Sequence, residues 1–356
     1  MATDIAFALA GLGGFNAHGA GFLTAAGKLG ITPDLVTATS GQIIVLGEWL
    51  RGTDLETLLV DPNRSSGVLG TVMTAFSGDR GIFRPAVSEY WQRWMTVPKS
   101  WAELPARLLP AEQYVPLRSK AYLGEIAALL EGAKFGVVFN AYDLDEGEGV
   151  LFGNAIAKTL LKDVQLLQIT EEAIESALWL SLYGFNGLPN GRMDGAYFRP
   201  CVIAELQDFD KVFAVRPLAQ GWVGKTPQSW FDVQDWQTEM WFSAGYKAEV
   251  AEMKRINKLI EDGSLKDPDY KKIELIEVCT NRPAGYFNFF TERPEVFKEA
   301  YDEAMKKLEP HAKARPSAAS APRAPHTVRV SPVAQDAAQD AHAPPPSSSP
   351  SEAPAR

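Results

Sequence analysis

Over roughly the first 310 residues, short apolar runs alternate with longer segments of helical spacing. Alternation of this kind predicts an α/β protein with a mainly parallel sheet. Residues 5–10 form the first apolar run, followed by a glycine-rich loop and a helical stretch at about 19–29. A second short strand is expected over 35–38, followed by a helix over 42–51. The segment KFGVVFNAYDLDEGEGVLFGN (134–154) reads as a strand, a polar turn at 145–149 and a returning strand. A helix is expected over 171–180, and buried strands over 211–218 and 272–279, with helical spacing between them at 236–260. The stretch TERPEVFKEAYDEAMKKLE opens on a threonine cap with proline in the first turn, and predicts the closing helix.

Two regions break this pattern. Residues 62–120 are rich in Trp, Pro and Arg, lack a clear period, and predict an insert of helices and loops. From residue 313 the chain turns to Pro, Ala and Ser, a composition that cannot bury enough apolar surface to fold. The expected organisation is therefore a folded domain over 1–312, containing the 62–120 insert, and a disordered tail over 313–356.

Composition narrows the function classes. The net charge of −9, with no basic stripe, argues against nucleic-acid binding. The two cysteines, Cys201 and Cys279, are far apart, which excludes a disulfide framework and any CxxC site. The N-terminal DIAFALAGLGG lacks a basic leader region and reads as a strand rather than a signal peptide. No run approaches the roughly 18 apolar residues of a membrane span. A cytoplasmic protein is the expectation.

Three stretches can carry chemistry. AGLGGFNAHGAG (10–21) follows the first strand, and a glycine loop leading into a helix aims backbone N–H groups at one spot. Such a loop holds a phosphate or an oxyanion, or is a structural turn. The dinucleotide pattern G-x-G-x-x-G is not met, because Asn16 stands at its third glycine. Ser40, between the second strand and its helix, reads either as a helix cap or as a nucleophile on a strained turn. Ala38 is small enough for such an elbow, whereas Gln42 is bulky. Asp194, in NGLPNGRMDGAYFRP (186–200), reads as a turn residue or as a base for a serine hydroxyl. Of four histidines, His311, His326 and His342 lie at or beyond the last helix, which leaves His18 alone in the folded part. A serine–aspartate dyad is thus more economical than a triad, and metal catalysis is poorly supplied.

Gly11-Leu12-Gly13-Gly14-Phe15-Asn16, Ala38-Thr39-Ser40-Gly41-Gln42 and Asp194-Gly195-Ala196, in that order, resemble the three motifs of the patatin-like phospholipase family, G-G-G-x-R-G, G-x-S-x-G and D-G-[GA]. The resemblance implies a three-layer α/β/α fold and a serine acyl hydrolase that uses no cofactor and no metal. Ser40 would attack a lipid or other acyl ester, and Asp194 would act as base. Backbone amides of Gly11, Gly13 and Gly14 would hold the oxyanion, with Gly41 and Gly195 supporting the elbow and the aspartate. Phe15 and Asn16 replace the arginine and closing glycine of the first motif, and both elbow glycines are replaced. An inactive patatin-like fold that binds a lipid surface or a protein partner is the alternative. The tryptophans at 222, 230, 236 and 241, and those at 91, 94 and 101, either pack onto the core or form a rim that meets lipid or a membrane surface.

Overall fold

A computed structural model of the chain describes residues 4–11, 16–59, 78, 82–95, 100, 101, 103, 111–217, 222, 226–228, 230–266, 270–280 and 293–312. In chain order its first elements are β1 (Ile5–Leu9), α1 (Ala17–Lys28), β2 (Leu35–Ala38), α2 (Gln42–Arg51), α3 (Leu55–Leu59), β3 (Phe83–Pro85), α4 (Val87–Trp94), β4 (Tyr114–Pro116) and α5 (Lys120–Glu131). They are followed by β5 (Gly136–Asp143), β6 (Glu148–Gly153), α6 (Ala155–Leu160), α7 (Glu171–Ala177), β7 (Arg192–Asp194), β8 (Lys211–Arg216), α8 (Trp230–Glu261), β9 (Glu274–Cys279) and α9 (Arg293–Ala312).

The central sheet runs β6-β5-β2-β1-β8-β9. The pairs β5–β2, β2–β1, β1–β8 and β8–β9 are parallel, while β6 and β7 run antiparallel to β5. This is the mainly parallel α/β sheet that the sequence predicts. From β1 the chain winds to one side through β2 and β5, then to the other through β8 and β9. The carboxyl end of β1 therefore borders a topological switch point, where open α/β sheets place their ligands.

Alternate residues of β1 enter two separate cores, which makes three layers. Ile5, Phe7 and Leu9 pack with α1, α2, α5, α7 and α9 on one face. Ala6, Ala8 and Ala10 pack with Cys201, Ile203, Phe209 and residues of α8 on the other. Burial on both faces explains why these strands read as continuous apolar runs. Phe7 anchors the first core, with its ring edge-on to Phe22 at 4.8 Å and to Phe213 at 5.8 Å.

Register sets up the site. On one edge of β5, β6 pairs over Val138–Gly153 through Asp143–Glu148. The other edge is shared: β2 occupies it up to Ala38 opposite Phe139, and β7 takes it up again from Asp194 opposite Ala141. The two strands thus meet end to end, and each delivers its last residues to the same level of the sheet.

Several local details differ from expectation. Within 62–120 the described residues include the antiparallel pair β3–β4, not only helices and loops; strands of three residues are too short to show an alternation. Helix α5, capped by the Ser119 side chain accepting from Tyr122 N, lies just past the irregular insert and was not foreseen. Strand β7 ends on Asp194, where the sequence suggested a turn residue, and escapes notice for the same reason of length. The tail and the threonine cap expected at 291 lie outside the described residues.

Candidate active site

Ser40 stands at the turn from β2 to α2, and its backbone is left-handed, with φ of 57°. An L-residue there costs roughly 1–2 kcal/mol, so something else must hold it. The turn is fixed on both sides. Thr39 N donates to Leu9 O, Gln42 N to Thr39 O and Ile43 N to Ser40 O. The Ser40 side chain makes no cap for α2; its Oγ donates to Asp194 Oδ2 at 2.5 Å. Both residues are buried. The helix-cap alternative for Ser40 is not met, because the hydroxyl faces the aspartate and not the helix amides.

Asp194 ends β7 and caps a 3-10 turn at Gly195–Tyr197, its Oδ1 accepting from Ala196 N at 2.9 Å. Burial pushes its carboxyl up to about 7, while the Ser40 hydroxyl and the Ala196 amide pull in the opposite direction. That value suits a base working near neutral pH. Gly195 is required by close packing, since a Cβ there would lie 2.5 Å from Asn140 Cγ. Asn140 in turn donates from Nδ2 to Arg199 O at 2.9 Å.

Gly11 lies directly against the serine. A Cβ on it would stand 2.8 Å from Ser40 Cβ and 2.8 Å from Thr39 O. Its amide, expected as an oxyanion donor, is instead committed to Pro200 O at 2.8 Å. Its contribution is close approach, for which only glycine is small enough. Gly13 and Gly14 lie outside the described residues. Gly41 has ordinary helical backbone, with φ −55° and ψ −17°, and its amide opens the N-terminus of α2.

The bulky Gln42 is accommodated by α1. A Cβ on Gly19 would collide with the Gln42 amide. The glycine that the elbow lacks has, in effect, a counterpart on the facing helix. Gln42 Nε2 lies 2.8 Å from His18 Nε2 and 3.4 Å from Ala10 O, while His18 Nε2 lies 2.8 Å from Ala10 O. His18 therefore braces the start of the glycine loop and, among the described residues, makes no hydrogen bond to Ser40 or Asp194. Burial lowers its pKa to about 4, against the opposing effect of the Ala10 hydrogen bond, so it stays neutral at pH 7. Among the described residues, three buried side-chain atoms of this region, Thr39 Oγ1, Gln42 Oε1 and Asn140 Oδ1, have no hydrogen-bond partner.

The structure thus brings together Ser40, Asp194, Gly11, Gly41 and Gly195. Sequence reasoning missed Asn140, Arg199 and the Pro200 carbonyl. Asn140 sits inside an apolar strand run, where a lone polar residue is a usable signal; no local pattern marks the other two. Among the described residues no group of three or more His, Cys, Asp or Glu is placed to hold a metal ion. No helix of the described residues is long and apolar enough to cross a membrane.

No protein-family model matches the chain, and no curated protein matches it. Among solved structures, VipD from Legionella pneumophila is similar over 87% of this chain and 67% of its own, with 14% identity and a TM-score of 0.35. Chemistry does not follow from fold likeness, and the functional reading rests on the site's own geometry.

Proposed function

We propose that the protein is a serine acyl hydrolase of the patatin-like type, with Ser40 as nucleophile and Asp194 as base. The observation that carries this reading is the 2.5 Å bond from Ser40 Oγ to Asp194 Oδ2, made by a serine with left-handed backbone. A base within hydrogen-bond reach of a serine hydroxyl is the requirement for activating it. Asp194 takes the proton as Ser40 Oγ attacks the ester carbonyl, and returns it to the departing alcohol. It then takes a proton from the water that attacks the acyl-enzyme, and returns it to Ser40 Oγ as the acyl–serine bond breaks and the carboxylic acid leaves. The oxyanion that forms at each step is stabilised by backbone amides. Candidates are Gly13 and Gly14, together with the Gly41 amide, which makes no hydrogen bond among the described residues and opens α2.

The proposed substrate class is a lipid or another acyl ester that meets an apolar rim. Support comes from α8, where Trp236, Met240 and Trp241 are exposed. The Trp241 ring lies 5.6 Å from Tyr197, three residues beyond the proposed base.

The test is hydrolysis of short and medium p-nitrophenyl esters together with fluorophosphonate labelling. Wild type should hydrolyse and be labelled at Ser40. Ser40→Ala should lose both, and Asp194→Asn should lose turnover by about 10⁴-fold. Equal hydrolysis by wild type and Ser40→Ala would show that Ser40 is not the nucleophile. An unlabelled wild type that still binds phospholipid vesicles would favour a non-catalytic lipid-surface module.

A further inference from the structure

The segment after Asp194 is held in a way the dyad alone does not require. Phe198 N and Arg199 N both donate to Gly195 O, at 3.0 and 2.8 Å, closing a tight loop. At its far end Arg199 O accepts from Asn140 Nδ2, and Pro200 O accepts from Gly11 N. Gly11 lies so close to Ser40 that there is no room between them for a Cβ, so the links form a ring: Ser40 to Asp194, along the chain to Pro200, across to Gly11, and back to its neighbour Ser40.

One side chain anchors this ring from outside. The Arg199 guanidinium spans two carboxylates: Nη1 and Nη2 to Glu205 at 2.6 and 2.8 Å, Nε and Nη2 to Glu249 of α8 at 2.7 and 3.0 Å. Glu249 Oε2 also accepts from Ile203 N at 2.7 Å and Ala204 N at 3.1 Å. Each guanidinium edge that faces a carboxylate is used, a fixed fork that lysine cannot reproduce. All three side chains are largely shielded from solvent, so the pairing is less screened than a surface ion pair. A purely structural ion pair would not need to sit on the one residue whose carbonyl and neighbouring carbonyl fix both Asn140 and Gly11.

We propose that Arg199 is a positioning residue of the site, its clamp on Glu205 and Glu249 setting where the Pro200 carbonyl holds Gly11 against Ser40 and where the loop holds Asp194. The inference rests on the acyl-hydrolase reading for its effect on turnover, but not for its effect on the loop. A misplacement of about 1 Å at reacting groups costs up to on the order of 100-fold in rate.

Two readouts on the full chain separate these levels. Hydrogen exchange followed by mass spectrometry reports protection over 9–11 and 192–200, and fluorophosphonate labelling reports Ser40. Arg199→Ala should raise exchange in both segments while α1 and α5 keep theirs, and slow labelling roughly 10- to 100-fold. Glu249→Gln, which keeps one acceptor oxygen for the Ile203 and Ala204 amides, should give the same signs with smaller size. It serves in place of Arg199→Ala if that variant fails to fold. Arg199→Lys should recover only part of the labelling rate. Folded variants with unchanged exchange in both segments overturn the clamp. Raised exchange with an unchanged labelling rate overturns positioning. A wild type that is not labelled at all overturns the acyl-hydrolase reading instead, and with it the effect on turnover; the exchange result then stands or falls by itself.

Discussion

Ser40 and Asn154 occupy matching places, each a short polar residue between a strand and a helix, yet they are built in opposite ways. Asn154 has extended backbone, with φ −74° and ψ 174°, and its Oδ1 accepts from Val137 N and Ala157 N at 3.1 and 2.9 Å. Its Nδ2 donates to Leu130 O and Phe135 O at 3.2 and 2.9 Å. Both the oxygen and the nitrogen of the amide are used, with every partner within 24 positions in sequence. Thr170 repeats the pattern, with extended backbone and a bond from Ala173 N. Ser40 has left-handed backbone, leaves its helix uncapped, and donates to a residue 154 positions away. Among the described residues, the Asn154 amide is fully paired, whereas Thr39 Oγ1, Gln42 Oε1 and Asn140 Oδ1 are buried without a hydrogen-bond partner. Buried polar groups that only build structure are paired. Strained and incompletely paired ones gather where a fold is doing something besides holding together.

The contrast predicts that damage at the two junctions falls on different properties. Asn154→Ala strands the Val137 and Ala157 amides and the Phe135 carbonyl, and should cost about 3 kcal/mol of unfolding free energy by urea titration, with the specific rate of the remaining folded protein unchanged. If that variant instead lost turnover while its stability held, the division between the two junctions would be wrong.

The pH response sharpens the same point. Hydrolysis should rise about tenfold per unit below pH 7 and level off above it, as Asp194 loses its proton. For stability the sign is reversed. With its pKa raised from 3.8 to about 7, Asp194 holds a proton in the folded state that the unfolded chain has released, so it stabilises at low pH and that contribution is lost as pH rises through 7. His18, lowered from 6.5 to about 4, contributes stability above 6.5 that is lost as pH falls towards 4. The two oppose each other between about 4 and 6.5. Asp194→Asn removes only the first, so its urea midpoint relative to wild type should be higher at pH 8 than at pH 5.

The smallest effect tests the strain alone. Ser40→Gly and Ser40→Ala both delete the hydroxyl, but only glycine relaxes a φ of 57°. The glycine variant should be the more stable by about 1–2 kcal/mol.

What the sequence revealed follows from range. Strands β1, β2, β5 and β8 are buried on both faces and write that burial as apolar runs, so their order was legible. The elbow was ambiguous because a serine that caps its helix and one that turns its hydroxyl away from it look alike over five residues. What separates them is Asp194 on a distant strand. Gln42 looked unsuitable because its partner in packing, Gly19, lies on another helix. Strand β7 and the Arg199 fork were invisible for the same reason: three residues carry no period, and ion pairs across 50 positions leave no local mark.

The shared edge of β5 has a consequence for how the molecule comes into being. Ser40 emerges early in synthesis and Asp194 only 154 residues later, and neither reaches the other except along a strand made between them. Non-local pairings of this kind form late, because the loop entropy must be met before the contact rewards it. A nascent or partly folded chain therefore carries its serine without a base. Whatever reactivity the finished protein has is withheld until β2, β5 and β7 are in register.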